Sequence, residues 1–304
     1  MAVYEQTYQP YEGALTSAWS RFLILPRYTY RSIFQSKLFL AFFCVCFLPT
    51  LVAAIMIYLH YNINALAIMN LRLRDLVAID AEFFRTILAV QGVFTFLLTV
   101  LTGPVLISRD VSNNALPLYL CRPFSRVEYI AGKMSVLLVM LSVVSWVPSL
   151  LLFLFQAYLA GPLWLAQNAR VGVAIVLAGL IGVITYSLLV LAISAWVKWR
   201  MAASAAFFAL FLIPSSFGGI INNLFNTNWG NLLNIGAQLN MISNGLFGLF
   251  TRRTGSYENW RNGRRTVYQF ADPPLWSAWA AILMLCVFCL FLLARKIRAY
   301  EMVR

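Results

Sequence analysis

Six stretches of this chain, residues 38–59, 86–108, 134–160, 171–197, 201–221 and 275–294, are long, apolar and free of charged side chains. A helix rises about 1.5 Å per residue, so a segment of ~20 residues crosses the ~30 Å hydrocarbon layer of a membrane. Inside hydrocarbon every peptide group has to be bonded within the protein, which leaves helices and closed barrels as the only spanning structures. Barrel strands alternate apolar and polar residues over segments of ~10, and the six stretches do not. The residues are 62% hydrophobic and 11% charged, against ~45–50% and ~25% for soluble domains. In water such a chain would expose large apolar patches and aggregate. The expected fold class is therefore all-α: a polytopic membrane protein of six transmembrane helices, preceded by an N-terminal interfacial amphipathic helix.

That first helix is read from residues 14–37. Ala14, Leu15, Ala18, Trp19, Phe22 and Leu23 recur at helical spacing, with Arg21, Arg27, Arg31 and Lys37 interspersed and Pro26 bending or breaking the run. The pattern suits a helix lying along the membrane surface, apolar face in lipid and arginines toward headgroups; an amphipathic helix packed on the protein is the alternative. Residues 1–13 read as a polar tail. The chain thus divides into 1–37 (tail and interfacial helix), 38–294 (six-helix transmembrane domain) and 295–304 (basic tail). No small-residue cleavage site follows the first apolar stretch, so an uncleaved anchor is expected rather than a signal peptide. Pro49, Pro104, Pro148 and Pro214 fall within spans, where proline is tolerated if neighbours satisfy the freed carbonyl. Ala178 with Gly182, and Ala202 with Ala206, have the small-residue spacing that lets helices approach closely.

Orientation follows from the lysines and arginines. With the N-terminus inside, the inner segments hold fourteen: Arg21, Arg27, Arg31, Lys37, Arg109, Arg122, Arg126, Lys133, Lys198, Arg200, Arg295, Lys296, Arg298 and Arg304. The outer segments hold nine, five of them (Arg252, Arg253, Arg261, Arg264, Arg265) in the long connection 222–274. The bias favours both termini in the cytoplasm. The amide-rich run 231–250 carries Asn231, Asn234, Gln238, Asn240 and Asn244, too many amides to bury cheaply in lipid, so it is expected as a helical or re-entrant element on the outer face.

Much chemistry is excluded. The spans have no Asp, Glu, Lys or Arg away from their ends, which argues against ion-coupled transport. The single histidine, His60, sits at a span boundary, and no nucleophile–histidine set, carboxylate pair or metal-ligand cluster is apparent. Catalytic, cofactor and metal sites are therefore read as none. Cys44, Cys46, Cys286 and Cys289 lie in apolar segments and Cys121 in a connection, which makes buried thiols rather than a redox pair or disulfide framework. A net charge of +13 is spread over the connections, with no compact polar domain to present a basic face to nucleic acid. Nor is there a phosphate-cradling loop: Ala131-Gly132-Lys133-Met134 lacks the upstream glycine and the hydroxyl residue. If ATP drives this protein, the ATPase is another chain.

The connection at residues 108–135 stands apart. Arg109, Asp110, Arg122, Arg126, Glu128 and Lys133 are interleaved with Leu116, Leu118, Tyr119, Leu120, Phe124 and Tyr129. A solvated linker has no use for so many large apolar groups, whereas a short amphipathic element docked into a partner's groove does. Leu120, Arg122, Pro123, Ser125, Arg126, Glu128, Tyr129, Gly132 and Lys133 together resemble the motif that precedes the third span in membrane subunits of ATP-binding-cassette (ABC) transporters of the ABC-2 type. Asp110 stands where that family usually has Glu, and Asn114-Ala115-Leu116 where it has Gly-Thr-Leu.

The resemblance implies a permease whose 108–135 segment is a coupling helix seated in a cleft of a cytoplasmic ATPase. Two permease subunits, identical or homologous, and two ATPase subunits would make the assembly, with ATP and magnesium held by the ATPase and none by this chain. Arg109, Asp110, Arg122, Pro123, Arg126, Glu128, Tyr129 and Lys133 would form or support the coupling interface. The family mostly exports, and it implies a multi-pass protein of the bacterial inner membrane. Gln91, Thr95, Thr99, Gln156, Thr185 and Tyr186 are polar groups within spans, placed either to line the pathway between two permeases or to bond helix to helix. A noncatalytic membrane anchoring or assembly protein that recruits a cytoplasmic partner is the alternative function.

Overall fold

A computed structural model describes residues 18–62, 78–113, 126–225, 227–250, 254–261 and 264–299. In chain order the helices are α1 (Ala18–Phe34), α2 (Lys37–Val45), α3 (Leu48–Tyr61), α4 (Ala81–Ser112), α5 (Arg126–Val144), α6 (Trp146–Ala160), α7 (Pro162–Trp196) and α8 (Arg200–Phe225). A 3-10 turn (Trp229–Leu233), α9 (Ile235–Leu246), the strands β1 (Thr254–Arg261) and β2 (Arg264–Ala271), and α10 (Leu275–Ala299) follow.

Six of these units are long and apolar enough to cross a membrane: Lys37–Tyr61, Ala81–Ser108, Glu128–Ala160, Pro162–Trp196, Arg200–Phe225 and Leu275–Lys296. They coincide with the six stretches read from the sequence, although the second, third and fourth begin earlier than expected. The first and third spans are each made of two helices. Pro49 opens α3 rather than kinking a continuous helix, because a proline is accommodated in a first turn, where its missing N–H costs nothing. The third span breaks at Ser145, three residues before Pro148.

Pro104 and Pro214 instead lie inside the unbroken helices α4 and α8. Pro104 cannot bond the carbonyl of Val100, four residues earlier. The hydroxyl of Ser204 on α8 donates to that oxygen at 3.1 Å, so a neighbouring span repairs the defect that proline creates.

α7 is the central post. It packs against α4, α5, α6, α8, α9 and α10, and half of its apolar window is buried, whereas 11% of the α8 window and 17% of the α2–α3 window are. Close approach is arranged by glycine. A Cβ at Gly179 would collide with Trp146, and one at Gly103 with Val190. The expected contact at Gly182 is not made: the space beside it is open, and Gly179, one turn earlier, is the residue that admits a neighbour.

The two ends of the bundle differ. At one end lie the C-termini of α4, α7 and α10 and the N-termini of α5 and α8; there Lys296 Nζ sits 5.0 Å from the centroid of Trp196. At the other end lie the 3-10 turn, α9 and the hairpin. α9 has 12 residues, about 18 Å of rise, too short to cross; it packs on α7 and α10 instead. Gly218 of α8 and Gly230 of the 3-10 turn meet backbone to backbone, since a Cβ on either would strike the other's carbonyl oxygen. The amides that argued against a seventh span serve as ties here. Asn222 Nδ2 donates to Asn231 Oδ1 at 3.0 Å, and Asn234 Nδ2 to Ser215 Oγ at 2.9 Å.

The hairpin is an addition the sequence reading did not anticipate. β1 and β2 pair antiparallel with Tyr257 opposite Tyr268 and Arg261 opposite Arg264. Its signal was Asn262-Gly263, a dipeptide that strongly favours two-residue hairpin connections. At the chain's start, α1 packs on α5, with the Tyr30 hydroxyl donating to the Val136 carbonyl at 3.0 Å. Burial raises the Tyr30 phenol above its ordinary pKa.

The proline repair is testable by a double-mutant cycle. Ser204→Ala should lower unfolding stability by about 1 kcal/mol, the worth of one lost hydrogen bond. In a Pro104→Ala background, where residue 104 regains its N–H, the same change should cost much less. Thermal denaturation in detergent measures both, and equal costs in the two backgrounds would dismiss the repair.

Candidate functional site

The end of the bundle that carries the family-like motif is built by α4 and α5, the helices that flank residues 113–125. Asp110 lies in the last turn of α4. A carboxylate there faces the negative end of the helix dipole and needs a cation nearby. Tyr129 and Lys133, four residues apart on α5, project from one face of that helix. Lys133 Nζ is 2.9 Å from Asp110 Oδ2, and the Tyr129 hydroxyl donates to the same oxygen at 2.7 Å. The ammonium also lies 5.8 Å from the centroid of the Tyr129 ring, within cation–π range.

The cluster is well shielded: Tyr129 is fully buried, and the side chains of Lys133 and Asp110 are 7% and 16% exposed. A charge this deep is stable only if it is paired and hydrogen-bonded. Breaking such a pair leaves the other charge stranded, which is far costlier than the net worth of the pair. The three side chains thus clamp the C-terminus of α4 to the N-terminal half of α5 and hold the two ends of the intervening segment at a set separation.

Of the other coupling-segment residues, Glu128 is half-buried in the first turn of α5, where a carboxylate meets the positive end of the helix dipole. Arg109 falls in the last turns of α4 and Arg126 opens α5. Arg122 and Pro123 lie outside the described residues. Asp110, expected at the coupling interface, is held by Lys133 and Tyr129 on α5. The spacing of Tyr129 and Lys133 on one face was visible in the sequence. That both reach across to Asp110 was not, because the contact depends on how α4 and α5 cross.

The six polar span residues separate into two groups. Gln91, Thr99, Gln156 and Thr185 each donate a hydrogen bond inside the bundle, although Gln91 Oε1 and Gln156 Oε1 accept from no described residue. Gln91 Nε2 donates to Thr50 Oγ1, joining α4 to α3, and Gln156 Nε2 donates to Tyr61 Oη at 2.6 Å, joining α6 to α3. Thr99 and Thr185 each donate to the carbonyl four residues back at 2.7 Å. Thr95 also donates to its own helix, at Gln91 O, 2.7 Å. Yet Thr95 and Tyr186 border a groove of about 340 Å³ between α4, α7, α8 and α9. Tyr186 stacks edge-on against Phe96 and Phe211 in its wall.

Six candidate spans define a polytopic membrane protein. The chain belongs to the ABC-2 family: the pattern described as ABC-2 family transporter protein matches residues 30–301. It is thus an ABC transporter permease, a multi-pass membrane protein and not itself an ATPase. No curated relative matches it.

The ion pair makes a sharp prediction. Lys133→Met strands a buried carboxylate and should destabilise the fold by about 3 kcal/mol. Adding Asp110→Asn, which removes the stranded charge while Tyr129 can still donate to the amide oxygen, should recover at least half of that loss in thermal unfolding. A double variant no more stable than Lys133→Met would show that the two charges are not coupled.

Proposed function

We propose that this permease is the membrane half of an ATP-driven exporter whose engine is a separate cytoplasmic ATPase, gripped through the segment between α4 and α5. The observation that carries the reading is the buried Asp110–Lys133–Tyr129 clamp. A lever that delivers force from a motor to the membrane has to be stiff where it joins the spans, and an ion pair with a shared hydrogen bond, shielded from water, supplies that stiffness. Arg122 and Arg126 would meet acidic groups on the ATPase and orient it. Asp110, Tyr129 and Lys133 act as positioning residues behind that surface.

The working assembly would hold two ATPase subunits, with ATP and magnesium at their sites, and a second permease, identical or homologous. Closure of the ATPase pair on ATP would draw the two levers together and change access to the pathway between the permeases. The excess of basic residues at the clamp end supports a cytoplasmic location for it and for both termini, in a bacterial inner membrane. α1 would then lie at the cytoplasmic surface: Arg27, Tyr28 and Arg31 are exposed while Pro26 is buried, a division suited to a helix with one face on the protein and one toward headgroups.

Affinity purification of the tagged chain from its native membrane should bring down an ATPase. Arg122→Glu with Arg126→Glu should cut its recovery roughly tenfold or more, since like charges brought face to face cost several kcal/mol. In intact cells Cys121 should resist impermeant thiol reagents and react only after permeabilisation. Recovery of no ATPase, or labelling of Cys121 from outside, would overturn the reading.

A further inference from the structure

The groove beside Thr95 and Tyr186 runs along α4 from Leu88 to Phe96 and along α7 from Ala178 to Tyr186, about 12 Å of helix rise on each. Its volume of about 340 Å³ lies within the range of small-molecule sites, ~300–1,000 Å³. Two glycines form its floor: at Gly92 and Gly182 an added Cβ would meet nothing within 4 Å. The space beside these two positions is open, while at Gly179, which also lines the groove, Trp146 closes in. Its walls are apolar and aromatic, with Phe96, Phe208, Phe211 and Tyr186 on one side. Near the middle of the third span the hydroxyl of Ser145, 4% exposed, lines the groove without a hydrogen-bond partner.

At α9 the character changes. Asn240 lines this groove and also a second cavity of about 620 Å³ at the hairpin end of the bundle. That cavity is polar, and among the described residues that line it the side-chain atoms without a partner are acceptors. Gln238, 5% exposed, has an oxygen (Oε1) with no partner, and so has Asn244 (Oδ1). The carboxylates of Glu82 and Asp272 border the same space, Asp272 accepting from Asn228 Nδ2 at 2.7 Å, and Arg85 is the one cation among the described residues that line it. Buried acceptors without donors are costly, and a ligand that brings donors removes the cost.

We propose that the groove and this cavity form one binding site for a single-chain amphiphile. Its alkyl chain lies between α4, α7 and α8, and its headgroup, rich in hydroxyl or amine donors and free of anionic charge, meets Gln238 and Asn244. The apolar half admits any chain of suitable length. The polar half selects, because an acceptor-only headgroup would face acceptors. Under the exporter reading this amphiphile is the class of cargo, handed from the lipid at mid-membrane to the face bearing α9. The word cargo rests on that reading; the binding site does not.

The test uses the purified full-length permease in nanodiscs, without ATPase, so its failure and that of the exporter reading are told apart. Two octyl amphiphiles carrying a diazirine in the chain are compared, a glucoside and a sulfate, and cross-linked peptides are located by mass spectrometry. The glucoside should label peptides of α4 and α7 that border the groove. The sulfate should label them roughly tenfold less, the cost of leaving acceptors unpaired. Gly92→Leu with Gly182→Leu, which fills the floor, should lower glucoside labelling roughly tenfold by excluding part of the chain. Gly219→Leu, on an exposed face of α8 with equally open space, should leave it unchanged. Asn244→Leu, which leaves the groove intact, should bring the glucoside-to-sulfate ratio toward one, and it decides the matter should the double variant not fold. Equal labelling by both headgroups, an Asn244→Leu ratio like that of the unaltered protein, or a filled groove that labels undiminished would each overturn the proposal.

Discussion

Hydrocarbon offers a peptide group no hydrogen-bond partner, and the architecture of this permease is a set of answers to that condition. Continuous helices satisfy it by themselves. Where a helix is flawed, a neighbour supplies the remedy: Ser204 reaches the carbonyl that Pro104 leaves open. Threonines 95, 99 and 102 turn their hydroxyls back onto their own helix, so that polar side chains sit within α4 without asking anything of the lipid. The same condition keeps α9 from being a span. Twelve residues with several amides cannot cross, but they can cap one end of the bundle by bonding α8 and the 3-10 turn.

Because lipid tails are as apolar as leucine, burial alone does not draw the spans together. Close packing around α7 does, and it depends on where side chains are missing. Gly103 and Gly179 let Val190 and Trp146 approach. Gly92 and Gly182 are the counter-example, since nothing fills the space they leave, and the groove results. One residue type thus builds the tightest seams of the bundle and its most open recess; which of the two appears depends on what faces it.

Charge is confined to the ends, where its placement has different consequences. At the clamp end an ammonium and a phenol both bond one carboxylate oxygen within 3 Å, and the result is mechanical: two helices locked together beside a basic segment. At the hairpin end Asp272 accepts from Asn228, while the amide oxygens of Gln238 and Asn244 have no partner among the described residues, and the result is a polar cavity.

Length, hydropathy and the spacing of charge were enough to place six spans, to deny a seventh over 231–250, and to single out the 108–135 connection, because each of these depends on the solvent that a stretch of chain can tolerate. The residues that carry the family motif were equally legible. What the linear order could not reveal is who meets whom. Asp110 and Lys133 are separated by the whole connection, Ser204 and Val100 by more than two spans, and Gly182 looked like a helix contact when it is the floor of a groove. Those facts depend on the crossing of α4, α5, α7 and α8, and a crossing is decided by side chains from several helices at once. Sequence determined which segments enter the membrane; only their packing decided which polar groups are spent on one another and which are left without a partner.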